Sequence, residues 1–187
     1  MKDRDYVRAQ ASGITYHFYI HGVVGDSEDY VELLDTLYCA SEDDILYMHI
    51  NTVGGSLDTT VEIIHAMAES KATIITCADG LVASAGSLLF FAGHAFKIGE
   101  FCEVMLHDGS GGALGKINEN LKSAQFTSAR IENIYKKVYG KFFSDEEIVG
   151  ILEGRDLYLT AADVEARVDE AIKKNQLELE EEHANEE

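Results

Sequence analysis

Three segments of this sequence carry residue types that could together perform acyl-transfer chemistry. A glycine pair, Gly54-Gly55, follows an apolar run; Ser84 lies among small residues; and His107 ends another apolar run. Glycine N–H groups can stabilise an oxyanion, a serine hydroxyl can attack a carbonyl, and an imidazole can accept the hydroxyl proton. The combination favours a serine hydrolase.

Each segment taken alone also has an ordinary structural interpretation. Ser84 precedes an apolar helical stretch, so it could be a plain N-cap serine. The glycine pair could form a simple strand-to-helix turn, and a single histidine is usually structural. The order and spacing of the three along one chain are what favour chemistry over these readings.

A catalytic serine and histidine also need a group that holds the imidazole in the correct tautomer. The sequence offers four carboxylates that residue type does not distinguish: Asp79, Asp108, Asp145 and Asp156. On residue types alone, a serine–lysine dyad with Lys97 or Lys116 as the base is an alternative. The choice stays open at this level.

Composition limits the classes of partner. The chain has 187 residues and a formal net charge of −19, which argues against nucleic acid or an anionic membrane as a partner. Its 3 cysteines have unrelated spacings, and its 7 histidines form no zinc-binding pattern, so we expect reduced thiols and no metal. With no apolar signal core at the N-terminus, we expect a cytoplasmic protein.

The order of hydrophobic patterns alternates strand and helix, which predicts an α/β fold. The predicted strands are Ile14–Ile20, Ile45–Ile50, Thr73–Cys77 and Glu103–His107. Helices are predicted over Ser27–Ala40, Ser56–Glu69, the stretch after Ser84, Lys116–Lys141, and after the start signals Ser144 and Thr160. A glycine-dense loop, Asp108–Gly115, precedes the long helix. That helix is long enough to project from the domain as an arm.

These motifs, in this order, resemble the family of Clp protease proteolytic subunits (ClpP). The matching segments are Ile50–Ser56, Gly80–Ser87, Met105–His107, Gly111–Gly115 with its long helix, and Arg155-Asp156 followed by Glu165–Asp169. The similarity runs from about Ile14 to Ile172. It implies the ClpP/crotonase-like α/β fold of repeated βα units with a projecting handle.

The resemblance also implies a site and an assembly. The site would be a Ser84–His107–Asp156 triad with an oxyanion hole from the N–H groups of Gly55 and Ala85. The assembly would be two stacked seven-membered rings that enclose the active sites and degrade unfolded polypeptides or short peptides. The chain itself would carry no cofactor, because a separate AAA+ unfoldase would use the ATP.

The implied organisation is one domain over residues 1–187. It consists of an N-terminal segment (1–13), a head (14–110 and 142–174), a handle (111–141) and a mobile acidic tail (175–187).

The chain departs from the family at the unfoldase-docking pocket, where His49 stands in place of an aromatic, so docking to a standard unfoldase is left open. The alternatives are therefore a ClpP-fold peptidase with a dedicated role, such as viral capsid maturation or signal-peptide degradation, and a ring scaffold that does not cut. A crotonase-like acyl-CoA enzyme is disfavoured, because it would not need Ser84 together with His107.

Overall fold

The computed structural model of the chain describes residues 13–109 and 116–185. Most of the predicted N-terminal segment and the loop residues 111–115 of the predicted handle lie outside the described residues. The strands are β1 (Thr15–Val24), β2 (Ile45–Gly55), β3 (Thr73–Ala83), β4 (Ala95–Ile98), β5 (Glu103–Leu106) and β6 (Leu157–Thr160). The helices are α1 (Val31–Cys39), α2 (Leu57–Glu69), α3 (Ala85–Phe91), α4 (Ile117–Tyr139), α5 (Asp145–Leu152) and α6 (Ala161–Asn185), with a 3-10 turn at Ser27–Tyr30 before α1.

One mixed sheet organises the domain, and this confirms the α/β prediction. The strand order is β1-β2-β3-β5-β6, and β4 pairs with β3 beside β5. All pairs are parallel except β5 with β6, which is antiparallel. Because parallel neighbours end at the same edge, the segments that follow β2, β3 and β5 meet there.

The core lies between one face of the sheet and the helices. On β2, Leu46, Met48 and Ile50 alternate with less buried residues, so that one face of this strand points into the core. Helix α3 is buried along its whole length and contacts β2 and β3, and α2 and α4 pack against it in turn. The Ser84 helix is therefore the central helix of the domain.

Three elements differ from the prediction. Strand β3 continues to Ala83, beyond its predicted end at Cys77, because pairing of residues 81–83 with β5 holds the chain extended. The short strands β4 and β6 carry no alternation long enough to predict them. Helix α6 continues to Asn185, in keeping with the high helix propensity of its Glu and Leu residues, so the predicted acidic tail, residues 175–187, is helical in the part that the structure describes.

Helix α4 has two different halves. Its C-terminal half packs into the domain through Ile131, Tyr135 and Tyr139, while Leu121 and Phe126 in its N-terminal half are 56% and 75% exposed. The length of this helix is close to the predicted Lys116–Lys141, and the exposure of its N-terminal half is in keeping with an arm. No helix within the described ranges combines the length and the apolar character needed to cross a membrane.

Candidate active site

The sheet brings Ser84 and His107 to the same edge. Ala83, the last residue of β3, pairs with Met105 of the parallel strand β5. The Ser84 N–H donates to the Met105 carbonyl at 2.9 Å, which fixes the first residue after β3 against β5. His107 follows the end of β5, so both side chains leave the sheet at neighbouring positions.

Ser84 and His107 are joined by a hydrogen bond of 2.7 Å between Oγ and Nε2. With its own proton on Nδ1, the imidazole accepts the hydroxyl proton at Nε2. Both residues are half-buried, so the pair is held by the protein and still reachable. The plain N-cap interpretation of Ser84 is wrong, because its side chain makes no capping hydrogen bond to α3.

The backbone of Ser84 is strained. Its φ is 55° and its ψ is −120°, and in the described parts of the chain no other non-glycine residue has a positive φ. Such a conformation costs about 1–3 kcal/mol and persists only where the surroundings enforce it. A serine on a strained strand-to-helix turn presents its hydroxyl away from the backbone, as a nucleophile requires.

The glycine pair at the end of β2 packs against the start of α3. A Cβ on Gly54 would lie 2.6 Å from the Cβ of Ser84 and 3.1 Å from the backbone N of Ala85. A Cβ on Gly55 would lie 2.1 Å from the carbonyl oxygen of Val24. Their φ values, +99° and +154°, are also values that L side chains rarely adopt. Only glycines allow this close approach.

The N–H groups beside Ser84 have different environments. The Gly54 N–H donates to Thr52 Oγ1 at 3.0 Å, while the same hydroxyl donates to the Gly22 carbonyl at 2.6 Å. Ala85 is the first residue of α3, where a backbone N–H has no acceptor within the helix. The positive end of the helix dipole therefore points toward the Ser84 hydroxyl region.

Asp156 lies near His107 in the strand register but is not bonded to it. The antiparallel pair Leu106–Leu157 is the last pair of β5 and β6, and its continuation places Asp156 opposite His107. The Asp156 side chain is exposed, and the hydrogen bonds and ion pairs of the described residues include none between it and His107. The structure thus brings Ser84 and His107 into contact, while Asp156 is related to His107 only through the adjacent strand pair Leu106–Leu157.

The other candidate carboxylates either make hydrogen bonds to other groups or lie on an element other than the strands that precede Ser84 and His107. Asp79 Oδ2 lies 2.6 Å from His49 Nδ1, and Asp108 Oδ1 accepts from the Gly109 N–H at 2.8 Å. Asp145 lies in the first turn of α5.

The two candidate lysine bases also interact away from Ser84. Lys97 Nζ lies 4.6 Å from the centre of the Tyr47 ring, and Lys116 Nζ lies 3.4 Å from Glu119 Oε1. The contact that Ser84 Oγ makes is with His107, which disfavours the serine–lysine dyad.

His49 belongs to a polar cluster on the other face of the sheet. Its ring stacks on Tyr19 with centroids 4.7 Å apart, and its two nitrogens face His17 Nδ1 at 3.1 Å and Asp79 at 2.6 Å. The position that the sequence identifies as unusual is therefore occupied by a hydrogen-bonded histidine instead of a simple apolar aromatic.

Sequence reasoning missed three hydroxyls that surround the pair. Tyr135 on α4 donates its hydroxyl to the His107 carbonyl at 2.6 Å. Ser87 Oγ donates to the Ser84 carbonyl at 2.6 Å and lies 2.8 Å from Tyr139 Oη. The helical pattern of α4 predicts that Tyr135 lies on its apolar side, but nothing in that pattern includes Tyr139 or indicates which carbonyl a buried hydroxyl will reach.

Comparison with known proteins agrees with this architecture. The family model for Clp protease matches residues 20–173. The chloroplastic proteolytic subunit 3 of the ATP-dependent Clp protease of Arabidopsis thaliana is 32% identical over 114 residues, covering 57% of this chain and 36% of that protein. Proteolytic subunit 1 of Gloeobacter violaceus is 30% identical over 134 residues, covering 68% of this chain and 66% of that protein. The matched region thus spans little more than a third of the plant protein and just under two thirds of the Gloeobacter protein. Because the family model matches most of its length and its α/β sheet is mostly parallel, the chain belongs to the Clp protease family.

Proposed function

We propose that this chain is a serine endopeptidase of the ClpP type, with Ser84 as the nucleophile and His107 as the general base. The observation that carries the proposal is the 2.7 Å hydrogen bond between Ser84 Oγ and His107 Nε2. It is supported by the strained Ser84 backbone at the N-terminus of a buried helix.

The reaction follows from these positions. His107 Nε2 takes the hydroxyl proton as Ser84 Oγ attacks the peptide carbonyl, and the N–H groups of Gly55 and Ala85 stabilise the oxyanion. The protonated imidazole then gives its proton to the leaving amine. Water, deprotonated by His107, hydrolyses the acyl-enzyme and restores the serine hydroxyl. No cofactor is needed on this chain.

Asp156 is the carboxylate that we assign to His107 Nδ1. The assignment is supported by the strand register, because Asp156 and His107 are the residues next to Leu157 and Leu106, the last pair of the β5–β6 ladder. A carboxylate at Nδ1 would keep the ring proton on that nitrogen and stabilise the imidazolium during attack.

The proposal also covers assembly, substrate and location. The chain would assemble into seven-membered rings stacked in pairs and degrade unfolded polypeptides supplied by an AAA+ unfoldase. Its location would be cytoplasmic. The exposed Leu121 and Phe126 on α4 support self-association through the handle. An electron micrograph of the purified protein tests the assembly, since stacked seven-fold rings are expected and monomers would contradict it.

A second candidate is a peptidase of the same fold with a dedicated substrate and no standard unfoldase. The observation that favours it is the hydrogen-bonded His49 cluster in place of an apolar docking position. Degradation of a folded substrate that depends on an added unfoldase and ATP would count against this candidate.

The experiment that tests the proposed chemistry is hydrolysis of a fluorogenic short peptide. Ser84→Ala should lower kcat/KM by about 10⁴-fold or more, because the nucleophile is lost. Ser70→Ala, at the far end of α2, is the matched control and should leave kcat/KM within twofold of wild type. Equal turnover by the Ser84→Ala variant and wild type would remove the proposal.

A further inference from the structure

We infer that Tyr135 and Tyr139 are positioning residues that hold the reacting pair from helix α4. Tyr135 holds the backbone of His107, and Tyr139 holds the backbone of Ser84 through the hydroxyl of Ser87. The inference rests on the proposed function, in which Ser84 and His107 are the reacting groups.

The His107 backbone needs a partner outside the sheet. β5 ends at Leu106, so the His107 carbonyl lies beyond the ladder that fixes the strand. The Tyr135 hydroxyl donates to this carbonyl at 2.6 Å. Tyr135 itself is only 5% exposed and sits in the core cluster, so the anchor does not move independently of the domain.

The link from Tyr139 to Ser84 has a defined direction. The Ser84 carbonyl can only accept, so the single Ser87 hydroxyl proton goes to it at 2.6 Å. Tyr139 must then donate to Ser87 Oγ, from which it lies 2.8 Å. Tyr139 is 1% exposed and Ser87 is fully buried. This chain of donors ends on Ser84, the one non-glycine residue with a positive φ in residues 13–109 and 116–185.

Tyr135 and Tyr139 lie on the same face of α4. They are one helical turn apart on α4, with ring centroids 5.0 Å apart. Burial raises the pKa of Tyr135 to about 12, with the Asp108 charge as a second cause, and burial likewise raises the pKa of Tyr139 well above its ordinary value. Both hydroxyls therefore remain protonated donors at any pH at which the protein works.

A purely structural role predicts a different outcome from a positioning role. Replacing Tyr with Phe keeps the ring and its packing but removes the donor, so the core remains filled. If the tyrosines only pack, the Phe variants lose stability and keep kcat. If they position the pair, the Ser84–His107 geometry loosens and kcat falls, because small displacements at a reacting centre have large effects on rate.

The test uses Tyr135→Phe, Tyr139→Phe, Ser87→Ala and the double variant Ser87→Ala/Tyr139→Phe, with the exposed Tyr38→Phe on α1 as control. We expect kcat for peptide hydrolysis to fall by about 10- to 100-fold in the first three variants, with KM within twofold. The double variant should be no worse than Ser87→Ala alone, because both changes break one chain of hydrogen bonds. Tyr38→Phe should match wild type.

Crystal structures of the same variants give a readout that does not depend on turnover. We expect the Ser84 Oγ–His107 Nε2 distance to lengthen beyond hydrogen-bonding range in Tyr135→Phe while the rest of the core is unchanged. A wild-type kcat in Tyr135→Phe and Tyr139→Phe would overturn the inference. A Ser84 Oγ–His107 Nε2 distance that is unchanged in both variants would also overturn it. A wild-type protein that cannot cleave peptides would instead overturn the proposed function, and the crystallographic distance would still decide the role of the tyrosines.

Discussion

Gly54 packs against Ser84 so closely that a β-carbon on Gly54 would lie 2.6 Å from the Ser84 Cβ. The end of β2 and the turn before α3 are thus fitted to each other at the level of single atoms. This relationship joins the predicted oxyanion loop to the predicted nucleophile, and several consequences can be measured.

Gly54→Ala should disable the site while leaving the fold in place. The added methyl group pushes Ser84 away from His107, and alanine is strained at φ +99°. We expect a loss of about 1–3 kcal/mol in the free energy of unfolding and a fall in kcat/KM of at least 100-fold. Gly22→Ala is the matched control, because Gly22 also has a positive φ, +73°, but open space around its Cβ position. It should cost about 1 kcal/mol and keep activity; equal kinetic losses in both variants would contradict this account.

Thr52→Val should loosen the glycine pair through a lost hydroxyl. Thr52 is 2% exposed, and its Oγ1 both donates to Gly22 and accepts from the Gly54 N–H. Valine has the same shape but leaves the buried Gly54 N–H without its acceptor and the Gly22 carbonyl without its donor, so unfolding by denaturant should show a loss of about 1–3 kcal/mol. Thr52→Ser keeps the hydroxyl and should lose less stability and less activity. The prediction fails if Thr52→Ser loses more stability or more activity than Thr52→Val.

Asp156→Asn should lower kcat by about 100- to 10,000-fold, because an amide in place of the carboxylate no longer favours the productive imidazole tautomer. Asp79→Asn is the control, since Asp79 is bonded to His49 on the other face of the sheet. Steady-state kinetics of the two variants, measured side by side, separate the candidates. A larger kcat loss in Asp79→Asn than in Asp156→Asn would contradict the assignment of Asp156 as the carboxylate partner of His107.

The Glu147–Arg167 pair should make stability depend on acid pH. Arg167 donates to Glu147, with one bond at 2.6 Å, and holds the Glu147 pKa down to about 2 from its ordinary 4.5. Because the folded pKa is the lower one, the stabilisation is complete above pH 4.5 and is lost as pH falls toward 2.

The Glu147→Gln variant measures that contribution directly. It should be less stable than wild type by about 2 kcal/mol at pH 7, and the difference should shrink steadily between pH 4.5 and 2. Glu146→Gln, at the exposed neighbouring position, should show no such pH-dependent difference. A Glu147→Gln deficit that stays constant down to pH 2 would rule out this origin.

Sequence patterns predict the order of strands and helices because each long element has its own periodicity. The pairing of Ser84 with His107 is implied by the family resemblance, and the fold accounts for it because residues that follow parallel strands share one edge of the sheet. The short strands β4 and β6 carry no such signal, and their pairing is decided by tertiary contacts. The extension of β3 to Ala83 has the same cause.

The finer features of the site are beyond sequence patterns for a physical reason. Which carbonyl the Tyr135 hydroxyl reaches, or that Ser87 relays between Tyr139 and Ser84, depends on distances of 2.6 to 2.8 Å set by the packing of α4 on α3. Periodicity fixes the face of a helix to about one residue and not the position of a hydroxyl. The same limit applies to Asp156, because it directly precedes β6, a strand that the sequence does not predict.

The most direct test of the central claim is covalent labelling of Ser84 by a fluorophosphonate, with the modified residue identified by mass spectrometry. The Ser84–His107 hydrogen bond predicts rapid, single-site labelling at Ser84 in wild-type protein and a loss of at least 100-fold in labelling rate in His107→Ala. His65→Ala, at an exposed position on α2, should label at the wild-type rate. Absence of label on Ser84, or labelling that is unchanged in His107→Ala, would contradict the assignment of these two residues as nucleophile and base.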